Sequence, residues 1–392
     1  MKILVIAKNI GKDAAGLVYL EFVKNLVVYF KTNLFIIANN SPNIDVPNNN
    51  ILISPNVNEK SERYSKLLLI STRKDYFTRN WEKSTWILFN KSQFADIKFD
   101  WVITFNSGNV IAPAILGKKI AEKSSGKLHV HLVDPIPPPK GWENFEIYRK
   151  ALIYPLKPVL KEATMISSSN EVMLNYQLSQ IKNLSPKFTL VLPNPVKSAN
   201  LIFVNREIDD KKRIVFLGTL ITGARNPAGI FEALTLLVKK WSNLEFHIYG
   251  SSYGTDSLNL PESISKKVFF HQYTNNIEEV IKYADILLDL DGNVQNDVFI
   301  SSKLPVYLSY NRAILSITGP NSPSRKILCN LTNSAVIATF DIGVIVNSIE
   351  TALKMNVEES FVKERNEYLS RVNSDYVTKT LIQKLEIKNI NI

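Results

Sequence analysis

The sequence predicts two α/β domains in tandem, each built on a mostly parallel sheet. Short apolar runs alternate with helical segments of ten or more residues, which is the pattern of βαβ units. The alternation stops at Pro193-Asn194-Pro195 and then restarts, as expected for a linker between two such domains. The length of 392 residues also favours two cores over one.

The composition is that of an ordinary globular protein, with 45% hydrophobic and 21% charged residues. No apolar run approaches the ~20 residues that a membrane-spanning helix needs. The first apolar run ends at Lys8, which is too early for a signal-peptide core. The single cysteine, Cys329, excludes an internal disulfide and fits a reducing cytoplasm. The four histidines lack metal-binding spacing, so we predict no metal site.

The charge balance favours an anionic partner. Lysine and arginine number 47 against 36 aspartates and glutamates, a formal net charge of +11. Nucleic acid, a membrane surface and phosphorylated small molecules are all compatible with this excess.

The first predicted domain covers residues 1–195. Its expected strands are residues 2–7, 34–38, 100–105, 128–133, 165–168 and 188–192. Its expected helices are residues 13–29, 109–123 and 143–161, the last kinked or broken by Pro155 and Pro158.

The second predicted domain covers residues 196–373. Its expected strands are residues 213–217, 244–249, 267–270, 285–289, 313–317 and 335–338. Its expected helices are residues 227–240, 277–283, 302–310 and 324–331, followed by two C-terminal helices. In such sheets ligands bind at the carboxyl ends of the strands, so the loops there are the candidate sites.

A basic and aromatic segment, residues 60–91, interrupts the first domain. This composition is typical of membrane-surface binding. The alternative is a helix packed on the sheet with a solvated basic face. Nucleic-acid binding is disfavoured because no nucleic-acid motif accompanies the segment.

Two loops of the first domain carry candidate residues. Gly11 and Gly16 follow the first strand without forming a dinucleotide fingerprint, and they either let a ligand approach the backbone or make a plain turn. Asp134 ends another strand before a proline-rich loop, where a carboxylate can act as an acid, a base or a hydroxyl-orienting group. His131 is either a second catalytic candidate or a core histidine.

Two loops of the second domain carry cations. Gly218 and Arg225-Asn226 follow its first strand, and a guanidinium there can grip a diphosphate with two hydrogen bonds. Ser301-Ser302-Lys303 begins a later helix, whose free N–H groups form a natural anion site. Together Arg225 and Lys303 would neutralise the charge that builds on a departing nucleoside diphosphate.

These residues resemble the motifs of GT-B glycosyltransferases, specifically the family 4 or group 1 type of bacterial polysaccharide synthesis. The resemblance spans nearly the whole chain. It is carried by Phe216–Thr219 with Gly223–Pro227, by Phe246–Gly250, Ala284–Leu288 and Ser301–Leu308, and by the Asp134-Pro135 exit.

The resemblance implies a GT-B fold of two Rossmann-like domains with a cleft between them. The N-terminal domain, with Gly11 and Gly16, would bind the acceptor, and residues 374–392 would form a helix that crosses back to it. The C-terminal domain would bind the nucleotide-sugar. The donor-binding residues would be Gly218, Arg225, Asn226, Tyr273 near the nucleobase, Asp297, Ser301, Ser302 and Lys303.

The chain departs from the family pattern at one pair of positions. The family commonly has two glutamates eight positions apart that touch the donor sugar and the ribose. Val298 and Val306 stand at these positions, with Asp297 adjacent to the first.

The function expected from the resemblance is a metal-independent, hexosyltransferase-type glycosyltransferase without a cofactor. It would use a nucleotide-sugar and a saccharide or lipid-linked saccharide acceptor in cell-surface polysaccharide synthesis, and it would bind no nucleic acid. It would be cytoplasmic and docked at the inner membrane face by the basic segment, with Asp134 and His131 as catalytic residues. The alternatives are a sugar-nucleotide epimerase of the same fold and a catalytically inactive partner subunit.

Overall fold

The chain folds into two compact units in a computed structural model that describes residues 1–207, 209–221, 225–250, 252–253, 260–274, 276–356 and 358–386. The first unit, Met1–Lys197, also takes in the chain from Ser374 onward, and the second unit is Ser198–Asn373. Residues 387–392 of the predicted last segment lie outside the described residues. So do Gly223 and Ala224 of the resemblance motif.

The first unit is a parallel sheet of seven strands between helices, in the order β3-β2-β1-β4-β5-β6-β7. Its elements are β1 (Ile3–Ile6), α1 (Ala14–Phe30), β2 (Leu34–Ala38), β3 (Ile51–Ile53), α2 (Glu62–Thr72), α3 (Arg79–Lys91), β4 (Trp101–Asn106), α4 (Ala112–Ser124), β5 (Lys127–Leu132), α5 (Glu146–Ala151), α6 (Ile153–Glu162), β6 (Met165–Ser168), α7 (Glu171–Ser179) and β7 (Phe188–Val191).

The second unit holds a parallel sheet of six strands, β12-β10-β8-β13-β14-β15, and a short pair of strands, β9 and β11. Its elements are β8 (Lys212–Leu217), β9 (Leu220–Ile221), α8 (Ala228–Leu237), β10 (Leu244–Tyr249), β11 (Ser252–Tyr253), α9 (Glu262–Ser265), β12 (Val268–His271), α10 (Ile277–Ile281), β13 (Ile286–Leu290), α11 (Lys303–Leu308), β14 (Ala313–Ile317), α12 (Pro323–Leu328), β15 (Ala335–Ala338), α13 (Ile342–Leu353) and α14 (Glu359–Val372).

The last helix, α15 (Ser374–Glu386), belongs to the first unit. The Ser374 amide donates a hydrogen bond to the Val196 carbonyl (2.8 Å), and the Tyr29 hydroxyl donates one to Asp375 (2.7 Å). The buried face of α15 contributes Leu381 and other apolar side chains to the core that α1 covers. Burial of this apolar face fixes the helix on the first unit.

The central strands of both sheets are buried on both faces, which explains why they are continuous apolar runs rather than alternating ones. In the first unit, odd and even positions of β1 supply two different cores. Because the strands of each sheet are parallel, their carboxyl ends lie at the same edge of that sheet. The loops at that edge hold the candidate sites.

Two predicted helical regions differ from the structure. The predicted helix over residues 143–161 divides at Leu152, ahead of Pro155, and Pro158 is accommodated inside α6. Pro155 lies in the first turn of α6, where its missing N–H has no helical partner to lose. The C-terminal region holds three helices, α13, α14 and α15, rather than two. None of the described helices combines the length and the apolar character that crossing a bilayer requires.

Candidate functional site

Lys303 lies across the backbone that leaves the first strand of the second unit. A Cβ placed on Gly218 would be 2.7 Å from Lys303 Cε and 3.1 Å from Nζ, and Gly218 has a φ of +148°. Only glycine leaves this space to the lysine and adopts this backbone angle without strain. The lysine side chain is thereby held at the carboxyl end of β8.

Tyr307 fixes the distance between α11 and β8. Its hydroxyl accepts a hydrogen bond from the Leu217 amide (2.8 Å) and donates one to the Leu217 carbonyl (3.3 Å). Tyr307 is fully buried, and burial raises its pKa well above the ordinary value. Because Tyr307 lies about one helical turn after Lys303, this pair of hydrogen bonds holds the lysine over Gly218.

Two buried carboxyl groups lie at the end of β13. Asp289 accepts a hydrogen bond from the Ser316 hydroxyl (3.0 Å), its register partner on β14. Asp291 accepts hydrogen bonds from Thr318 (2.7 Å) and Ser322 (2.8 Å). Both carboxyl groups are almost completely shielded from solvent. The hydroxyl donors offset part of the cost of burying them.

The charges of these groups act on one another. Burial, reinforced by Asp291, raises the pKa of Asp289 to about 7, although Arg225 and Lys303 oppose the rise. Burial and the nearby charge of Arg225 lower the pKa of Lys303 to about 8, against the opposite effect of Asp289. Arg225 and Lys303 thus lie near enough to Asp289 and to each other for their charges to interact. Such an arrangement favours a bound anion that brings negative charge to the cations.

Ser301 and Ser302, the predicted donor residues beside Lys303, lie at the start of α11. Ser302 is the N-cap residue of α11, without a side-chain capping bond, and the Ser301 hydroxyl accepts a hydrogen bond from the Lys303 amide (3.3 Å). The helix that follows has six residues. Its dipole is accordingly short, and the two cations are the main source of positive potential here.

Two other predicted donor residues, Asn226 and Asp297, have structural roles, and a third, Tyr273, is exposed. Asn226 accepts a hydrogen bond from the Ala228 amide (2.9 Å) and so caps the start of α8. Asp297 is buried and accepts hydrogen bonds from the Val298 (2.8 Å) and Phe299 (3.1 Å) amides, which shape its own loop. Tyr273 is 63% exposed in the loop after β12.

Val306, the residue that departs from the family pattern, packs as an apolar side chain. It is partly buried against the core cluster that contains Leu304 and Tyr307. Packing against this cluster is a sufficient reason for an apolar residue at position 306.

A flat aromatic surface lies at the carboxyl ends of β10 and β12. The rings of Tyr249 and His271 are stacked with centroids 4.2 Å apart and an interplanar angle of 13°. The Gly250 amide donates a hydrogen bond to the His271 carbonyl (3.1 Å). A Cβ on Gly250 would fall 2.1 Å from the Gly218 carbonyl oxygen, so the two glycines let the ends of β8 and β10 approach each other closely.

In the first unit, Gly11 and Gly16 shape the turn between β1 and α1. The Gly11 amide donates a hydrogen bond to the Gly16 carbonyl (2.8 Å), and the Gly16 amide donates one to the N-cap carboxylate of Asp13 (2.6 Å). A Cβ on Gly16 would lie 3.0–3.2 Å from three neighbouring polar atoms. Close packing at Gly16 and a φ of +79° at Gly11 favour glycine at the two positions.

Asp134 lies partly buried at the exit of β5, on a well-anchored loop. Two residues later, the backbone of Ile136 exchanges two hydrogen bonds with the Gln177 side chain, one of them 2.8 Å long. The hydroxyl of Tyr19 lies within electrostatic reach of Asp134 and Asp13, which add to the effect of burial in raising its pKa. The structure thus brings Asp134 together with the turn that follows β1.

His131 lies inside the first unit, away from solvent. Its Nδ1 is 2.8 Å from the Ser167 hydroxyl, which is also 2.6 Å from Nε2 of His129. Both histidines are fully buried, and His131 makes edge contacts with Phe22 and Phe105. Burial lowers the pKa of His131 to about 3 and that of His129 well below the ordinary value. In this structure His131 is a core histidine, the second of the two sequence interpretations.

Two parallel-sheet units with candidate sites at the carboxyl edges define a GT-B fold, the two-domain α/β fold of many glycosyltransferases. The chain is similar to HepE from Anabaena, solved with UDP and glucose (TM-score 0.68, 10% identity), over 99% of this chain and 100% of that one. It is also similar to OtsA, a trehalose-6-phosphate synthase (0.67, 12%), over 98% and 99% of the two chains. A glycosyltransferase from Rickettsia africae matches over 100% and 99% (0.63, 13%).

At these identities the similarity establishes the fold alone. No protein-family model matches the sequence, and no curated protein matches it either. The function therefore has to be argued from the site.

Proposed function

We propose that the protein is a glycosyltransferase that moves a sugar from a nucleotide-sugar to a saccharide acceptor. The observation that carries the proposal is the pair of cations, Arg225 and Lys303, held at the carboxyl edge of the second sheet. A diphosphate is the ligand that two adjacent cations suit best, since it brings at least two negative charges. The GT-B fold of the chain supports this assignment.

In the proposed reaction, the bond between the anomeric carbon of the sugar and the diphosphate oxygen breaks, and its electron pair stays with the diphosphate. Arg225 and Lys303 stabilise that developing charge. The acceptor hydroxyl forms the new bond to the anomeric carbon and loses its proton. In an inverting reaction Asp134 would take that proton. In a retaining reaction the departing diphosphate oxygen would take it and Asp134 would orient the acceptor.

The nucleotide would lie along the carboxyl edge of the second unit. The stacked rings of Tyr249 and His271, with the exposed Tyr273 after them, offer aromatic faces for a base. HepE has been solved with UDP and with UDP-glucose, so a uridine nucleotide is the first to test. We propose a hexose as the transferred group and no metal or cofactor, since two cations already supply the charge.

We also propose that the acceptor is linked to a lipid and that the enzyme works at the cytoplasmic membrane surface in cell-surface polysaccharide synthesis. The support is the net charge of +11 and the exposed, partly apolar and basic face of α2.

The test is calorimetric titration of nucleoside diphosphates and their sugars into the wild type and Lys303→Ala. We expect binding by the wild type and a loss of about tenfold or more in Lys303→Ala, because one of two charge-assisted contacts is removed. Lys240→Ala is the matched control, since Lys240 is exposed and paired with Glu350 in the same unit. No binding of any nucleotide by the wild type would contradict the proposal.

Product analysis separates the remaining alternatives. A transferase releases nucleoside diphosphate only when sugar appears on an acceptor, or slowly on water. An epimerase would return an isomerised nucleotide-sugar, and an inactive partner subunit would bind nucleotide without turnover. Either of these results would overturn the proposed reaction while leaving the anion site intact.

A further inference from the structure

The surface formed by α2, α5 and the first turn of α6 combines exposed apolar side chains with an excess of cations. Leu67 on α2 is 59% exposed, and Ile147 and Phe145 at α5 are 61% and 51% exposed. Tyr64 on α2 and Tyr154 on α6 are exposed as well. Single exposed apolar residues are common, but five on packed neighbouring helices form an exposed apolar patch, which is typical of an interaction site.

Contacts between the helices make this one surface. The Lys66 ammonium lies 4.9 Å from the ring centre of Tyr148 and 3.8 Å from Glu143, which joins α2 to α5. The Arg73 guanidinium lies 4.6 Å from the ring centre of Tyr154, which joins the end of α2 to α6. The outward positions of both segments recur at helical spacing, with Tyr64 and Leu67 on one and Ile147 and Tyr154 on the other.

The charge of this surface is strongly one-sided. Residues 62–74 and 143–157 contain seven lysines and arginines against three glutamates. The three glutamates lie within ion-pair distance of Lys66, Arg149 or Lys150 on the same surface. The excess comes from Arg63, Arg73 and Lys74, which are exposed, and Lys157, which is partly exposed, on or directly after the helices that carry the apolar side chains.

We propose that this surface docks the protein on an anionic phospholipid bilayer. Apolar side chains that enter the interface, surrounded by cations that meet lipid phosphates, are the physical requirements for a protein that lies on a membrane. Tyrosine suits such a boundary, since its ring is apolar and its hydroxyl polar. A lipid-linked acceptor, as proposed above, would lie in such a bilayer. The docking surface itself is argued from the side chains described here, and only its purpose rests on the proposed function.

The structure also divides the basic segment predicted from sequence. Trp81 and Phe89 of α3 are buried in the core of the first unit, and Trp86 packs against that core. For α3, therefore, the correct interpretation is a helix packed on the sheet. The proposed membrane-facing role stays with α2 of that segment and extends to α5 and α6, which lie outside it.

The experiment is flotation of the full chain with phosphatidylcholine vesicles made with and without phosphatidylglycerol. We expect binding to the anionic vesicles, weakened by salt, and little binding to the neutral ones. Leu67→Ser and Ile147→Ser should each reduce the partition coefficient about fivefold, as should Arg63→Gln or Lys74→Gln. All four positions are at the surface, so the variants should fold, and thermal unfolding verifies it.

The matched controls are Leu236→Ser and Lys240→Gln, at exposed positions of the second unit. They should leave vesicle binding unchanged. The docking surface is refuted if anionic vesicles do not bind, if neutral vesicles bind equally, or if the controls have the same effect as Leu67→Ser. A dimer in solution that Leu67→Ser dissociates would also refute it in favour of self-association.

Vesicle binding and sugar transfer, measured separately, distinguish the docking surface from the proposed function. Nucleotide binding measured without vesicles should be the same in Leu67→Ser and the wild type. Vesicle binding without sugar transfer would remove the proposed function and leave the docking surface. Sugar transfer to a soluble acceptor without vesicle binding would do the reverse.

Discussion

Lys303 occupies the space that a side chain on Gly218 would need: a Cβ there would lie 2.7 Å from Lys303 Cε. The collision involves the stem of the lysine, whose ammonium supplies half of the proposed anion site. The backbone of Gly218 is therefore part of the site although it carries no functional group.

Gly218→Ala should weaken nucleotide binding. The added methyl group pushes Lys303 away and is itself strained at a φ of +148°, so we expect a loss of affinity of about tenfold or more in calorimetric titration. Gly229→Ala is the control, because a Cβ there would make only ordinary contacts, with Ile345 at 3.4 Å and the Phe340 carbonyl at 4.0 Å. Unchanged affinity in Gly218→Ala would show that Lys303 does not hold the nucleotide.

Asp289→Asn should stabilise the second unit at alkaline pH. The folded pKa of Asp289, about 7, lies above its unfolded value of about 3.9, so the folded state holds an extra proton between these values. Stability therefore falls as pH rises through this window, and above it the carboxylate penalty is complete. The amide avoids this penalty, and we expect a gain on the order of 1–3 kcal/mol near pH 8 that shrinks near pH 5.

Hydrogen exchange of peptides from the second unit measures this gain separately from the first unit. Asp209→Asn provides a control of opposite sign. Asp209 is hydrogen-bonded to Arg213, which lowers its pKa, so removal of its charge should bring no gain at alkaline pH. A pH-independent difference between Asp289→Asn and the wild type would contradict the argument.

Acid should destabilise the first unit through its buried histidines. Their folded pKa values lie below the unfolded value of about 6.5, so the unfolded state takes up protons first as pH falls. Stability is complete above that value and declines by about 1.4 kcal/mol per pH unit for each histidine below it. Urea unfolding can be followed by fluorescence, since Trp81, Trp86, Trp101 and Trp142 lie in this unit.

His131→Gln tests the source of this pH dependence. Glutamine keeps a hydrogen-bonding group near Ser167 but does not titrate. The variant should lose stability at neutral pH and show about half the slope of the wild type below about pH 6. An unchanged slope would place the acid sensitivity elsewhere.

Arg365→Met should destabilise the second unit strongly. The Arg365 guanidinium is fully buried and donates hydrogen bonds to the carbonyls of Tyr307, Tyr310, Arg312 and Ser334. Methionine fills similar volume but leaves these carbonyls without donors, at a cost of about 3–5 kcal/mol. Arg371→Met, on the exposed side of the same helix, should change stability by less than about 0.5 kcal/mol in denaturant unfolding.

The sequence predicted the strand pattern well because buried parallel strands are short apolar runs bounded by turns. The strands Leu34–Ala38, Leu244–Tyr249 and Ala313–Ile317 were predicted to the residue. The GT-B fold expected from the resemblance was also confirmed. The short strand β3 was missed, since Ile51–Ile53 is too brief to stand out from its loop.

The candidate site was predicted in part. Lys303 and Arg225 could be singled out because each follows a strand and carries charge next to glycine or serine. The roles of the supporting residues could not be predicted from the sequence. Tyr307 fits the apolar pattern of its helix, and its hydroxyl contact with Leu217 joins positions 90 residues apart. Asp289 left a signal, an acid inside an apolar strand, but its environment depends on β14 folding beside it.

The division of the first unit into two stretches of chain has a consequence for biosynthesis. The ribosome must make all of residues 198–373 before α15 exists, and α15 buries Leu381 in the core beneath α1. The unit that emerges first is therefore completed last, and the second unit can fold while part of the first unit's apolar core still lacks its cover.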